Sequence, residues 1–291
     1  FFFKQKTAYE IKECDWSSDV CSSDLRELIN AGPILIAPGA ADVLSARFIE
    51  AQGFPAVYMS GSLQHKMAGY PDVNVLTMSE MADTANRISS QLSVPSIADG
   101  ETGFGVRINV QRTVREYERA GVSAMHIEDS NVPKRPAILG FDSPTVTKAE
   151  FVDKIKAALD ARVDAALVII ARCEFKGDFS EKSDRLQEAV EAGADAFWFG
   201  TVDEGEMQKL KALLKKPGGG VLQGAMTSME YQRRGSSFGV LPNAMSIAAL
   251  VAQQAMLAGL KEHGSPQAWL SKQDASKACE GFYGKLGMDL I

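Results

Sequence analysis

The chain has 291 residues, 45% of them hydrophobic, and carries a formal net charge of −6 with a sequence pI near 5.3. That acidic balance argues against a nucleic-acid partner, which would need a basic face. No apolar run of roughly 18 residues is evident, so no membrane partner is expected and the protein reads as soluble and cytoplasmic.

In chain order, residues 1–25 stand apart. Lys4-Gln5-Lys6-Thr7-Ala8-Tyr9-Glu10 and Asp15-Trp16-Ser17-Ser18-Asp19-Val20-Cys21-Ser22-Ser23-Asp24 correspond to translated fixed parts of a short-read sequencing adapter, with 11–14 spanning its index. The segment has no basic start, long apolar core or small-residue cleavage site, so it does not read as a signal peptide. It is expected to be non-native and without fixed structure, and 26–291 to form a single domain. Cys173 and Cys279, the cysteines outside it, show neither zinc-ligand spacing nor a disulfide framework.

From Arg26 onward, short apolar runs alternate with amphipathic segments. The pattern predicts strands over 34–37, 56–60, 96–99, 124–128, 166–172, 196–200, 220–224 and 239–241. Helices are predicted over 43–52, 78–92, 110–120, 148–162, 180–192, 204–215, 228–234 and 246–261. Eight such units predict an α/β fold of the (β/α)8 barrel type, a closed parallel sheet with its chemistry at the C-terminal strand ends and C-terminal helices at the end of the chain. The rival, an open doubly wound sheet, lacks a Gly-x-Gly-x-x-Gly after its first strand. The run 245–260 is too apolar for an exposed helix and is expected to pack on the barrel or on another subunit.

Polar residues cluster where strands are predicted to end. Ser60, Gly61 and Ser62 follow the second strand, Glu128 and Asp129 end the fourth, and Arg172 with Glu174 ends the fifth. After the third, Asp99 and Glu101 sit two residues apart and project to one side, a pair of hard oxygen ligands suited to Mg²⁺. Arg172 follows a buried run and needs a partner. It can pair with Glu128 or Glu174, or bind a substrate carboxylate bidentately, and the second reading is preferred. His126 and Cys173 read as core residues.

The stretches Ala37-Pro38-Gly39-Ala40-Ala41-Asp42, Gly53 to Gly61, Thr113 to Gly121 and His126-Ile127-Glu128-Asp129 resemble the isocitrate lyase and phosphoenolpyruvate mutase superfamily, particularly its short methylisocitrate-lyase-like members. The resemblance aligns Asp99 and Glu101 with the aspartates of an Asp-x-Asp-Thr-Gly-Tyr/Phe-Gly motif that holds Mg²⁺ directly or through water. It puts Glu128 in the same metal shell and Asp72 near the metal, with Mn²⁺ as an alternative ion. It assigns substrate binding to Tyr58, Ser60, Gly61, Ser62, Asp99 and Arg172, and gives Lys134 and Arg135, in the family's gating loop, catalytic roles beside Arg172. It also implies a homo-oligomer, dimer or tetramer, that exchanges its last helix.

Such enzymes make or consume a pyruvate-type enolate. Mg²⁺ would act as Lewis acid, the N–H groups of Gly61 and Ser62 as oxyanion donors, and Arg172 as the carboxylate clamp. Three departures qualify the match: Pro136 stands where family lyases carry a proton-moving cysteine, Glu101 replaces an aspartate, and Gly200 replaces a glutamate or histidine. The expected function is a Mg²⁺-dependent lyase or decarboxylase acting on a 2-oxo or 2-hydroxy di- or tricarboxylate. The alternatives are a mutase or hydrolase of a phosphonate such as phosphonopyruvate, and an idle barrel that binds a keto acid.

Overall fold

A computed structural model describes residues 19–134, 144–200, 205–224 and 226–273. The order is α1 (Asp19–Asn30), β1 (Leu35–Pro38), α2 (Val43–Ala51), β2 (Val57–Met59), α3 (Gly61–Met67), α4 (Met78–Ser89), β3 (Ser96–Asp99), α5 (Arg107–Arg119), β4 (Ala124–Glu128) and α6 (Lys148–Ala161). It continues with β5 (Val168–Cys173), α7 (Phe179–Glu191), β6 (Ala196–Phe199), α8 (Glu206–Leu214), β7 (Gly218–Val221), α9 (Ser228–Arg233), β8 (Phe238–Leu241), α10 (Ala244–His263) and α11 (Gln267–Leu270).

All strand pairs are parallel, in the order β1-β8-β7-β6-β5-β4-β3-β2. A bridge between Gly39 and Tyr58 brings β1 back to β2, so the sheet curls into the predicted (β/α)8 barrel. Side chains alternate across each strand, and the two faces build two cores. Tyr58, Ile97, Ala124, Val168, Ile170, Trp198, Phe238 and Val240 fill the barrel interior. Met59, Ala98, Met125, Ile127, Ile169, Phe197 and Phe199 point outward against Met81, Tyr117, Phe151, Ile155 and Leu186 of the helices. Each large apolar side chain buried in this way contributes about 1.5–3 kcal/mol.

The alternation also aims the site. Counting in steps of two from Ile97, Ala124 and Val168 puts Asp99, Glu128 and Arg172 on the inner face at the C-terminal end. There the register pairs Asp99 with His126, Glu128 with Arg172 and Arg172 with Trp198.

Three elements differ from expectation. Helix α1 begins at Asp19, inside the segment expected to lack structure, and it buries Leu25 and Ile29 against the interior core. Ser60-Gly61-Ser62 does not form an open loop: Ser60 caps α3, its Oγ accepting from the Leu63 N–H at 3.3 Å. Among the described residues helix α10 packs only its first turn on the barrel, through the partly buried Met245, and Ile247, Leu250, Val251 and Leu257 are each more than half exposed. It also overturns the expectation that no apolar run is long enough to span a membrane. Over 18 residues its mean hydropathy reaches 1.3, enough by length and composition, and alanines diluted by two glutamines had hidden the run.

Candidate active site at the C-terminal rim

The site starts from one aspartate that ends β3. Asp99 Oδ2 accepts the Gly61 N–H at 3.0 Å and Oδ1 accepts the Glu101 N–H at 2.9 Å, while Tyr117 donates to the Asp99 carbonyl at 2.9 Å. Three elements therefore fix this residue from different sides. Gly61 must be glycine, because a Cβ there would run into the carboxylates of Glu101 and Asp99. The same contact corrects an expectation: the Gly61 N–H is committed to Asp99 and is not free as an oxyanion donor.

Glu101 has left-handed backbone at φ 50°, and its carboxylate, like that of Asp99, lies close against Gly61. Lys134 Nζ lies 3.2 Å from Glu101 Oε2, 3.3 Å from Glu128 Oε1 and 3.5 Å from Asp72 Oδ1, at the centre of three acids. Arg172 closes the opposite side. Its Nε bonds Glu174 at 2.6 Å, NH2 lies 3.5 Å from Glu128, NH1 lies 3.7 Å from Asp99, and the guanidinium covers the Trp198 ring at 4.8 Å. Arg172 therefore does pair with Glu174 through Nε, while its two terminal nitrogens sit at 3.5 and 3.7 Å from their nearest acids.

Asp72, Asp99, Glu101, Glu128, Lys134 and Arg172 therefore come together as a group, with Ser60, Gly61 and Ser62 beside them at the start of α3. Tyr58 sits one layer lower, buried inside the barrel, with its hydroxyl 3.0 Å from His126 Nε2. Arg135, Pro136 and Cys279 lie outside the described residues. His126 and Cys173 are buried as expected, Cys173 donating to Asp129 at 3.5 Å.

Charge is crowded here. Burial works against the Asp99 charge, but His126, Lys134, Arg172 and the Glu101 N–H outweigh it and hold the carboxyl far below its usual range. His126 is itself pushed down to about 3 by burial, so near neutral pH it is uncharged, and Lys134 and Arg172 are the cations that keep Asp99 ionised. Burial pushes Glu101 up to about 8, with Lys134 pulling the other way and Asp99 and Glu128 adding to the rise. Glu128 is raised chiefly by burial as well. For Lys134, burial disfavours the charge, but Glu128, Glu101 and Asp99 more than compensate and raise its pKa well above the ordinary value.

A divalent cation fits this donor set. Asp72 Oδ1, Glu101 Oε1 and both Glu128 carboxylate oxygens are buried without a hydrogen bond; Lys134 and Arg172 face three of them at 3.3–3.5 Å, too long to replace the lost hydrogen bonds fully, and oxygens left in that state suit a cation that coordinates them directly. His65, whose ring nitrogen lies with Asp72 and Glu101 oxygens in one group of candidate ligand atoms, is not available. Its Nε2 accepts the Leu76 N–H at 3.1 Å, which leaves the proton on Nδ1 to be donated to the Gly61 carbonyl at 2.9 Å. An all-oxygen set of acids suits Mg²⁺ or Mn²⁺ and not zinc.

Sequence reasoning missed His65, Asn74 and Trp198. Asn74 bonds both Glu101 and Lys134, and nothing local in Pro71 to Thr77 signals that reach.

Comparison with known proteins gives the family. A family model described as phosphoenolpyruvate phosphomutase matches residues 25–261. The 2,3-dimethylmalate lyase of Eubacterium barkeri is 37% identical over 253 residues, covering 82% of this chain and 86% of that protein. An oxaloacetate decarboxylase of Pseudomonas fluorescens is 37% identical over 195 residues, covering 66% of this chain and 67% of its own length. A solved structure of phosphonopyruvate hydrolase in complex with oxalate and Mg²⁺ matches with a TM-score of 0.82 at 28% identity, covering 93% of this chain and 97% of that one. By sequence over most of its length and by its barrel, the chain belongs to the phosphoenolpyruvate mutase/isocitrate lyase superfamily.

Proposed function

We propose that this carbon–carbon lyase cleaves or decarboxylates a 2-oxo or 2-hydroxy di- or tricarboxylate to leave a pyruvate-type enolate, using Mg²⁺, with Mn²⁺ as an alternative. The observation that carries this reading is the buried set of unsatisfied carboxylate oxygens on Asp72, Glu101 and Glu128, gathered round Asp99 and faced by Arg172. Asp99, Glu101, Glu128 and Asp72 would hold the ion. When bound, it supplies Lewis-acid stabilisation of developing negative charge on the substrate's oxygens.

The chain's own residues do the rest. Arg172, aimed by its bond to Glu174 and its stacking on Trp198, presents two terminal nitrogens that orient a substrate carboxylate. Lys134 brings a second positive charge to the rim, and Arg135 follows it in sequence. Ser60 and Ser62 offer hydroxyls at the start of α3 where the keto-acid end would lie. Tyr58 supports the floor through His126. Pro136, in place of a proton-moving cysteine, favours decarboxylation, which needs a charge sink and a carboxylate clamp more than a loop acid.

The exposed apolar face of α10 supports a homo-oligomer, dimer or tetramer, because a stripe this long is costly to leave in water; a cytoplasmic location is read from the metabolic lyases among its relatives.

The test uses the full chain with and without Mg²⁺. It follows pyruvate release from oxaloacetate, 2,3-dimethylmalate, 2-methylisocitrate and phosphonopyruvate. Metal-dependent release from one of the first three is expected. Release from phosphonopyruvate alone would move the assignment to phosphonate chemistry. No release, together with no Mg²⁺-dependent deuterium exchange at the methyl group of pyruvate, would leave a barrel that only binds.

A further inference from the structure

Asn74 lies between α3 and α4, two residues after Asp72, in left-handed backbone at φ 59°. Asparagine tolerates that conformation better than most residues with a Cβ, and ending a turn would be a sufficient local reason for it. Its side chain does something further. Nδ2 donates to Glu101 Oε2 at 2.9 Å, and Oδ1 accepts the Lys134 N–H at 2.7 Å. A backbone N–H can only donate, so Oδ1 must face Lys134 and the amide has one orientation. Glu101 Oε2 is then shared between Asn74 and the Lys134 ammonium, while Oε1 stays buried with no hydrogen bond.

We propose that Asn74 is a positioning residue whose single amide fixes the Glu101 carboxylate with one oxygen left over for a divalent cation, and in the same geometry anchors the Lys134 backbone so that its ammonium reaches the acids. The inference rests on the metal reading above. It adds a residue from the α3–α4 segment that ties the β3 acids to the segment after β4. Orienting partners of this kind change metal affinity about 10- to 100-fold when removed.

Mn²⁺ binding to the full chain, without substrate, separates this role from that of a turn residue. Asn74→Gly keeps the left-handed backbone at no steric cost and removes the amide, whereas Asn74→Ala removes the amide and strains the backbone. Positioning predicts that both variants bind Mn²⁺ about tenfold more weakly than the wild type, with the melting temperature of Asn74→Gly unchanged and its loss of turnover falling on kcat. A turn role predicts that Asn74→Gly binds Mn²⁺ like the wild type, and that result would overturn the proposal. A drop of several degrees in the melting temperature of Asn74→Gly would also overturn it, since the amide would then be holding the fold. If the wild type itself binds no Mn²⁺, the metal reading falls and this inference falls with it.

Discussion

The two ends of the barrel treat charge in opposite ways. At the N-terminal end, Asp195 is saturated: Oδ1 meets Arg26 at 2.8 Å, and Oδ2 meets Arg162 at 2.6 Å and the Ile169 N–H at 2.9 Å. Both arginines also donate to carbonyls, Arg26 through its second terminal nitrogen to Ala165 at 2.9 Å and Arg162 through the same NH1 that meets Asp195, to Leu167 at 2.7 Å. At the C-terminal rim, the Lys134 contacts are 3.2–3.5 Å long and four carboxylate oxygens have no hydrogen bond. Charge that only holds a fold together is matched at short range. Charge kept under-matched in a buried place implies a ligand, because water does not reach those oxygens and the bare cost would otherwise be several kcal/mol.

Three substitutions test that contrast. Asp99→Asn keeps the size of the side chain and removes its charge from the rim. If several kcal/mol of charge stabilisation depend on it, metal-dependent pyruvate release should fall about 10³-fold, at 1.36 kcal/mol per tenfold. The melting temperature should fall by several degrees as well, because the new amide NH2 meets the Gly61 or Glu101 N–H and leaves one of them unpaired, and a folded variant that keeps full activity would end the metal assignment. Asp195→Ala should cost stability alone, about 2 kcal/mol, because it strands two arginines and an N–H that are only partly exposed. That corresponds to a fall of about 4–8 °C in melting temperature, with kcat unchanged. A large loss of kcat would show that the two ends are coupled.

The smallest effect concerns pH. His126 binds its proton at about 3 in the fold against 6.5 when unfolded, so between those values the unfolded chain holds more protons. Stability should therefore fall as pH drops below about 6.5, and His126→Gln should flatten part of that slope in denaturant titrations at pH 4 to 7. An unchanged slope would mean that other groups carry it.

Much of this was legible in the chain. Eight short apolar runs mark eight strands, seven of them near their expected bounds and β7 two residues earlier than 220–224, and the polar residues Asp99, Glu128 and Arg172 fall at strand ends as expected. What escaped depends on distance in space. The commitment of the Gly61 N–H to Asp99 and the pairing of Arg172 Nε with Glu174 follow from where strands end, not from composition. Asn74 reaches Lys134 across 60 positions of sequence. Helix α3 is absent from the expected elements although Ser60 is a good N-cap. Helix α10 was expected to find cover, and among the described residues none of its side chains is fully buried.

Helix α1 carries a consequence for handling the protein. Leu25 is 1% exposed and Arg26, one residue on, is half of the Asp195 network, so plug and clasp sit side by side on one turn. A protein trimmed to begin at Arg26 keeps the clasp but loses the plug, and it opens the barrel floor to water at the point farthest from any chemistry. Whatever the origin of residues 1–25, an apolar side chain at the right angle on a helix is all that the floor requires. Folding selects by position and polarity, and it is indifferent to ancestry.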